Sequence, residues 1–235
     1  MNKKIILAST STLYNGGYLE YLLPTLEKHF ENVKNLIFIP YARPGGISHE
    51  EYTQKVSEAF STININVKGL HEFDNPAEAI QKAEGIFTGG GNTFLLVSQL
   101  YNFNLMDILK TTVEAGTPYL GTSAGSNIGG RTMNTTNDMP IVLPQSFNTL
   151  GLINFNLNPH YLDPTEGSTH MGETRETRIN EFHKVSDIAV LGLREGSWLE
   201  ISENDVILKG DLTARLFRAG EFAVEMAPNE NLNFL

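Results

Sequence analysis

No cysteine occurs among the 235 residues, and that absence removes thiolate nucleophiles, thiolate zinc sites, iron–sulfur clusters and disulfides together. A covalent catalyst here has to be a Ser, Thr, Lys, Asp or Glu. Basic residues are scarce too: 17 Lys and Arg stand against 27 Asp and Glu, a formal net charge of −10. Sequence-independent binding to nucleic acid needs a phosphate-neutralising surface, so DNA and RNA are poor candidate partners. Long apolar runs are missing as well. The N-terminus starts basic and then apolar, but Ile5-Ile6-Leu7-Ala8 gives way to Ser9-Thr10-Ser11-Thr12, too short for a signal-peptide core. No window approaches the roughly 18–20 apolar residues of a membrane span. The expectation is a soluble, cytoplasmic protein without a membrane partner.

What remains is an ordinary globular composition, 40% hydrophobic and 19% charged. A chain of this length buries roughly 70% of the surface it exposes when unfolded, so it needs no disulfide or metal staple. It reads as one α/β domain over residues 1–235.

Short β-rich runs alternate with amphipathic stretches along the first half. Strands are expected at Lys4–Ala8, Asn35–Pro40, Ile63–Val67, Gly85–Thr88 and Tyr119–Thr122. Between them, helices are expected over Tyr18–Phe30, from Ser48, from Asn75-Pro76, over Phe94–Leu100 and over Leu105–Ala115. Ser48 and Glu51 form a capping-box pattern, and Asn75-Pro76 reads as N-cap and first helical residue. Such alternation predicts a doubly wound, mostly parallel sheet with helices on both faces. Beyond Ser123 the pattern loosens, then resumes with a strand near Phe155–Asn158, a helix over Glu173–His183, a strand over Ile188–Leu193 and C-terminal β-hairpins, one of them around Asn204-Asp205.

The segment richest in chemistry is Gly121-Thr122-Ser123-Ala124-Gly125, a Gly-x-Ser-x-Gly directly after a predicted strand. That is the nucleophile-elbow pattern, in which the serine hydroxyl projects from the strand's C-terminal end. A bare match is more often an idle serine in a Gly-rich turn; its place after the fifth strand argues for function. A second cluster, Gly89-Gly90-Gly91-Asn92-Thr93, follows the fourth strand and opens a helix. It lacks the Gly-Lys-Ser/Thr ending of a P-loop. It suits an oxyanion hole in which Gly90 or Gly91 and Ala124 contribute N–H groups. Asn92 is assigned to substrate contact.

A serine hydroxyl needs a base. His29 and His183 lie near helix ends, where a cation suits the macrodipole, and His49 follows an N-cap, so all three read as structural. His71 follows the third strand and stays open as a candidate. His170 sits in a polar loop that suits mobility better than catalysis. His160, which ends a strand in Asn158-Pro159-His160, is the preferred base. For the acid that orients it, Glu195 after Ile188–Leu193 competes with Asp138 in the polar loop Asn134–Pro140. An Asx-turn before a proline is the plain alternative for Asp138. Ser123, Gly89–Asn92, His160 and Glu195 would share the C-terminal rim, where open α/β sheets bind ligands.

Six ordered motifs together resemble the peptidase E family, the α-aspartyl dipeptidases of serine peptidase family S51. They are Gly89–Phe94, the Gly121–Gly125 elbow, Thr135–Val142, Asn158–His160, Gly172–Glu176 and Glu195–Trp198, and the resemblance runs from Ser11 to Gly220. It implies a sheet like that of class I glutamine amidotransferases. It also implies hydrolysis of dipeptides with an N-terminal aspartate, with Ser123 as nucleophile, His160 as base, Glu195 as third triad member and Asp138 essential. Thr122, where the family pattern has Trp, and Asn134, where some relatives carry Arg, are departures near the pocket. Glu195 is assigned the orienting role and Asp138 substrate binding. Arg175 is favoured over Arg178, Arg131 and Arg43 for the substrate carboxylate, because an arginine fork binds a carboxylate through two hydrogen bonds. The expected partner is a small peptide, with no metal and no cofactor. Rival expectations are a cyanophycinase-like or isoaspartyl peptidase and a non-catalytic, amidotransferase-like binding domain.

Overall fold

Strand β1 (Lys4–Ala8) shows how the fold is built: Ile5 and Leu7 point to one face, Ile6 and Ala8 to the other, and all four are fully buried. Burial on both faces is the mark of a parallel sheet sandwiched between helices. The same alternation recurs in β2 (Asn35–Ile39), β4 (Gly85–Thr88) and β5 (Tyr119–Thr122). One face meets Leu26 of α1 (Leu23–His29) and Tyr52, Val56 and Phe60 of α2 (His49–Ser61). The other meets Ile80 of α3 (Pro76–Gln81), Leu96 and Leu100 of α4 (Thr93–Asn102), and Leu109 and Val113 of α5 (Met106–Glu114).

This computed structural model describes residues 3–165, 167, 169, 171–203 and 205–235. Among the described residues the strands form two sheets. The larger has seven strands in the order β3-β2-β4-β5-β1-β8-β9, where β3 is Asn66–Gly69, β8 Trp198–Ser202 and β9 Asp205–Lys209. Its first five strands are parallel, and β8 lies antiparallel along β1. The smaller sheet has the order β11-β10-β7-β6, from β6 (Asn156–Pro159), β7 (Val190–Leu193), β10 (Ala214–Phe217) and β11 (Val224–Met226). Leu157, Leu191 and Leu216 of this sheet enter the same apolar cluster as Ile5 and Leu7, so the two sheets share a core. Two short helical elements complete the frame, α6 (Ala124–Asn127) after β5 and α7 (Arg175–Phe182) before β7. Among the described residues no helix is long and apolar enough to cross a membrane.

Three expectations shift. The first helix begins at Leu23, not Tyr18, because Leu19 adopts φ 58 and Pro24, with no N–H to offer, fits only the first turn. Leu19 and Leu22 are nonetheless buried in the same cluster as Leu26, so their helical spacing reported burial rather than a helix. The third strand starts at Asn66 because Ile63–Ile65 form the turn out of α2, with Asn64 at φ 58. The shared rim, finally, is assembled from two sheets, since β8 takes the β1 edge and leaves β6 and β7 to pair with each other.

His29 is a correction of chemistry. It lies in the last turn of α1 but is only 6% exposed, and its ring Nε2–H donates to the Tyr119 carbonyl at 3.1 Å. Burial, aided by the charge of Lys4, pushes its pKa down to about 3, so it is a neutral donor and not a cation on the helix dipole. An unfolded histidine takes up a proton below about pH 6.5, which the folded ring refuses. The stabilisation is therefore complete above that pH and is lost as pH falls from about 6.5 towards 3, by up to about 1.4 kcal/mol per pH unit. Urea unfolding at stepped pH is expected to show a shallower loss across this window for His29→Gln than for the wild type. Equal slopes would mean that His29 is charged in the fold.

Candidate active site

Strand β5 ends at Thr122 and α6 begins at Ala124, leaving Ser123 at φ 53 and ψ −111. A non-glycine residue held in such a conformation stores on the order of 1–3 kcal/mol and persists only where its surroundings over-determine it. Here the Ser123 N–H donates to the Ala8 carbonyl at 3.1 Å. The flanking glycines serve close approach: a Cβ on Gly121 would run into the Gly125 carbonyl, and one on Gly125 into the Thr88 carbonyl. Neither has a positive φ.

His160 follows the last residue of β6 and also sits in left-handed backbone, at φ 54. Its Nε2 lies 2.9 Å from Ser123 Oγ and its Nδ1 2.6 Å from Glu195 Oε1. An ionised carboxylate only accepts, so Nδ1–H donates to Glu195 and the Nε2 lone pair faces the serine hydroxyl. Glu195 stands in the β7–β8 turn, before Gly196 at φ 91. Such a chain can draw the proton off Ser123 as its oxygen attacks a carbonyl.

Asp138 makes different bonds. Its Oδ2 accepts from the Thr93 N–H at 2.7 Å, the Thr93 hydroxyl at 2.6 Å and the Thr136 hydroxyl at 3.0 Å. It thus holds the first turn of α4, where the macrodipole favours an anion. With Ser123, His160 and Asn137 it also lines a small cavity of ≈20 Å³.

Beside the serine, an added Cβ on Gly90 would stand 3.0 Å from Ser123 Cβ, and one on Gly91, at φ 146, would run into the Ala42 carbonyl. Only bare backbone fits there. Among the described residues the N–H groups of Gly90, Gly91 and Ala124 donate to no acceptor. They are available to an oxyanion.

Peptidase family S51 matches residues 5–209. The chain belongs to that family. A peptidase E of Streptomyces coelicolor is 46% identical over 231 residues, covering 98% of this chain and 94% of its own. A Drosophila melanogaster protein named "probable alpha-aspartyl dipeptidase" is 44% identical over 236 residues, covering 99% and 97%. The crystal structure of a peptidase from an acI-B1 actinobacterium superposes with a TM-score of 0.73 at 19% identity, over 99% of this chain and 97% of that one; it shares the fold.

Other sequence candidates in this S51 peptidase fall in several places. Asn92 is engaged structurally: its Oδ1 accepts from the Leu95 N–H at 3.0 Å as the N-cap of α4, and its Nδ2 donates to the Met139 carbonyl at 2.8 Å. Arg175 opens α7, half-buried, and lines an open cavity of ≈580 Å³ with Leu162, Asp163, Gly172 and Arg178. Burial and then Arg178 lower its pKa, while Asp138 opposes them, which puts Arg175 within the field of Asp138. Its neighbouring glutamates pair elsewhere, Glu173 with Arg178 at 3.8 Å and Glu176 with Arg215 at 3.1 Å. Among the described residues Arg175 has no ion-pair partner. Arg43 stacks over Tyr52 at 4.9 Å, and Arg131 is exposed. His71 faces Glu50 at 3.5 Å and His49, away from Ser123; His183 contacts the Ile188 carbonyl at 3.1 Å. His170 lies outside the described residues. No group of three potential metal-ligating side chains gathers among the described residues.

Two participants lie inside the quoted motifs without a role assigned to them there. Thr93 and Thr136 hold Asp138 as hydroxyl donors, a role that only their placement discloses.

The two carboxylates therefore have separable effects. Glu195→Gln is expected to lower kcat by roughly 10²–10⁴-fold with KM little changed, since it acts through the base. Asp138→Asn is expected to raise KM as well, and to lower the melting temperature through the start of α4. Steady-state kinetics with a melting curve for each variant checks this; a pure KM effect from Glu195→Gln would reverse the roles.

Proposed function

We propose that this peptidase is a serine dipeptidase that releases an N-terminal aspartate through an acyl-enzyme on Ser123. The observation that carries the reading is the hydrogen-bonded chain Ser123 Oγ–His160 Nε2 at 2.9 Å and His160 Nδ1–Glu195 at 2.6 Å. Ser123 Oγ attacks the scissile carbonyl carbon while His160 takes its proton, and the new negative oxygen is held by N–H groups of Gly90 or Gly91 and Ala124. The C–N bond breaks as His160 returns the proton to the leaving amine. Water, deprotonated by the same ring, then hydrolyses the ester.

Specificity for aspartate rests on charge. A chain of net charge −10 repels an acidic substrate at long range, so a local cation has to receive the side-chain carboxylate. Arg175 supports that role: it is half-buried, close enough to Asp138 to feel its charge, and unpaired among the described residues. Asp138, beside Ser123 and His160, supplies a carboxylate for the substrate's ammonium group. The name of the Drosophila relative agrees with this substrate class.

Ser123→Ala is expected to abolish Asp-Leu hydrolysis by several orders of magnitude in a protein that still folds. Arg175→Ala is expected to lower kcat/KM on Asp-Leu by about 10–100-fold, the worth of hydrogen bonds to a charged group, and to leave residual Asn-Leu hydrolysis nearly unchanged. Equal losses on both substrates would count against Arg175 as the reader of the carboxylate.

A further inference from the structure

Ser9 follows β1, is fully buried, and belongs to no motif. Its hydroxyl makes two bonds. It accepts from the His160 N–H at 2.9 Å and donates to the Leu193 carbonyl at 2.7 Å. His160 is the proposed base, and Leu193 is the last residue of β7, two before Glu195. The preceding residue completes the pattern: the Ala8 carbonyl accepts from the Ser123 N–H at 3.1 Å and from the Ser126 hydroxyl at 2.6 Å. We propose that Ser9 is a positioning residue, whose hydroxyl ties the segment carrying the base to the segment carrying its orienter and so keeps His160 aligned between Ser123 and Glu195. The inference rests on the triad assigned under the proposed function.

The physical argument starts from the backbone of His160. At φ 54 it departs from the strand that precedes it. Its neighbour Tyr161 still bonds across to the Leu193 carbonyl at 3.1 Å, while the His160 N–H turns away from that ladder towards β1. A buried N–H without an acceptor costs about 1–3 kcal/mol, comparable to the strain of a left-handed residue. With the hydroxyl present, the His160 N–H has its acceptor and residue 160 is kept in the left-handed region. Without it, the cheapest relief is for residue 160 to leave the left-handed region, and that swings the ring off Ser123. Only a hydroxyl combines one donor with acceptor lone pairs in so small a group; alanine offers neither function.

A merely structural hydroxyl would lower stability and leave the alignment alone, so the control is Thr149. It is also buried, and its hydroxyl donates to the Gly130 carbonyl at 2.7 Å, to neither the segment of His160 nor that of Glu195. The experiment measures Asp-Leu kinetics, the rate at which diisopropyl fluorophosphate labels Ser123, and the downfield proton resonance of the His160–Glu195 hydrogen bond. Ser9→Ala is expected to lower kcat and the labelling rate together by about 10–100-fold, the scale of a misplacement near 1 Å, with KM within about twofold. The downfield resonance should broaden or move upfield. Ser9→Thr should restore much of the labelling rate, and Thr149→Val should change none of these at a comparable loss of stability. Should Ser9→Ala not fold, Ser9→Cys keeps the volume with weak hydrogen bonds and should shift the same readouts in the same direction. A Ser9 variant that labels as fast as Thr149→Val overturns the proposal while leaving the triad intact. Failure of the wild type to be labelled at Ser123 overturns the triad and this inference with it.

Discussion

Two non-glycine residues, Ser123 and His160, hold left-handed backbone at the ends of strands from different sheets, and the site depends on keeping both there. Neither conformation is favourable by itself. Each is held by a hydrogen bond that its N–H donates to the same dipeptide, Ala8-Ser9, at the end of β1. That strand can serve as the fixed reference because it lies between β5 and β8 and is buried on both faces, so moving it would disturb the apolar cluster on each side. Main-chain geometry thereby aims the hydroxyl and imidazole at each other before any substrate arrives, which is the preorganisation that covalent catalysis needs.

Behind the site a second set of bonds fixes the turns. Arg194, next to Glu195, donates to Asp163 at 2.8 Å and to Glu225 at 2.9 Å, and Glu225 also pairs with Arg215 at 3.1 Å. Asp163 comes three residues after His160, and Arg215 reaches Glu176, next to Arg175. The hydrogen bonds from Arg194, foremost, hold Glu225 down to about 2, and those to Asp163 and Glu225 raise the guanidinium in turn. Isolated surface pairs contribute little, but an arginine that is 16% exposed and shared between two carboxylates restrains geometry. It links the β7–β8 turn to the segment after His160 and to the smaller sheet, while the smaller sheet's apolar face keeps it on the shared core.

The site's polarity is divided by position. Asp138 holds its place through two threonines and an N–H at the start of α4, and Arg175 opens α7, half-buried, where the charge of Asp138 opposes the lowering of its pKa. Under the function we propose, the carboxylate beside the serine receives the α-ammonium of an aspartyl dipeptide and the cation of Arg175 its side-chain carboxylate. In a strongly acidic chain this local arrangement, and not the net charge, has to decide what binds.

Much of this was legible in the chain itself. Alternating buried residues in Lys4–Ala8 and Asn35–Ile39, the Ser48–Glu51 capping box, Asn75-Pro76 and the Gly121–Gly125 elbow each depend on neighbours a few residues away, and each formed as local rules require. The absence of cysteine confined the nucleophile to an oxygen or an amine. Tertiary structure decided the rest. Glu195 and Asp138 both follow or lie in loops near strand ends, and only the pairing of β6 with β7 sets Glu195 beside His160 Nδ1 while Asp138 turns to Thr93. Ser9 is a lone serine after a strand, and its partners lie 151 and 184 residues away. Leu19 and Ile63 showed apolar spacing because they are partly or fully buried, and burial does not distinguish a turn from a helix or strand. Local sequence determined elements and chemistry; which distant groups meet was settled by how two sheets close over one core, since no residue carries a mark of its partners across that distance.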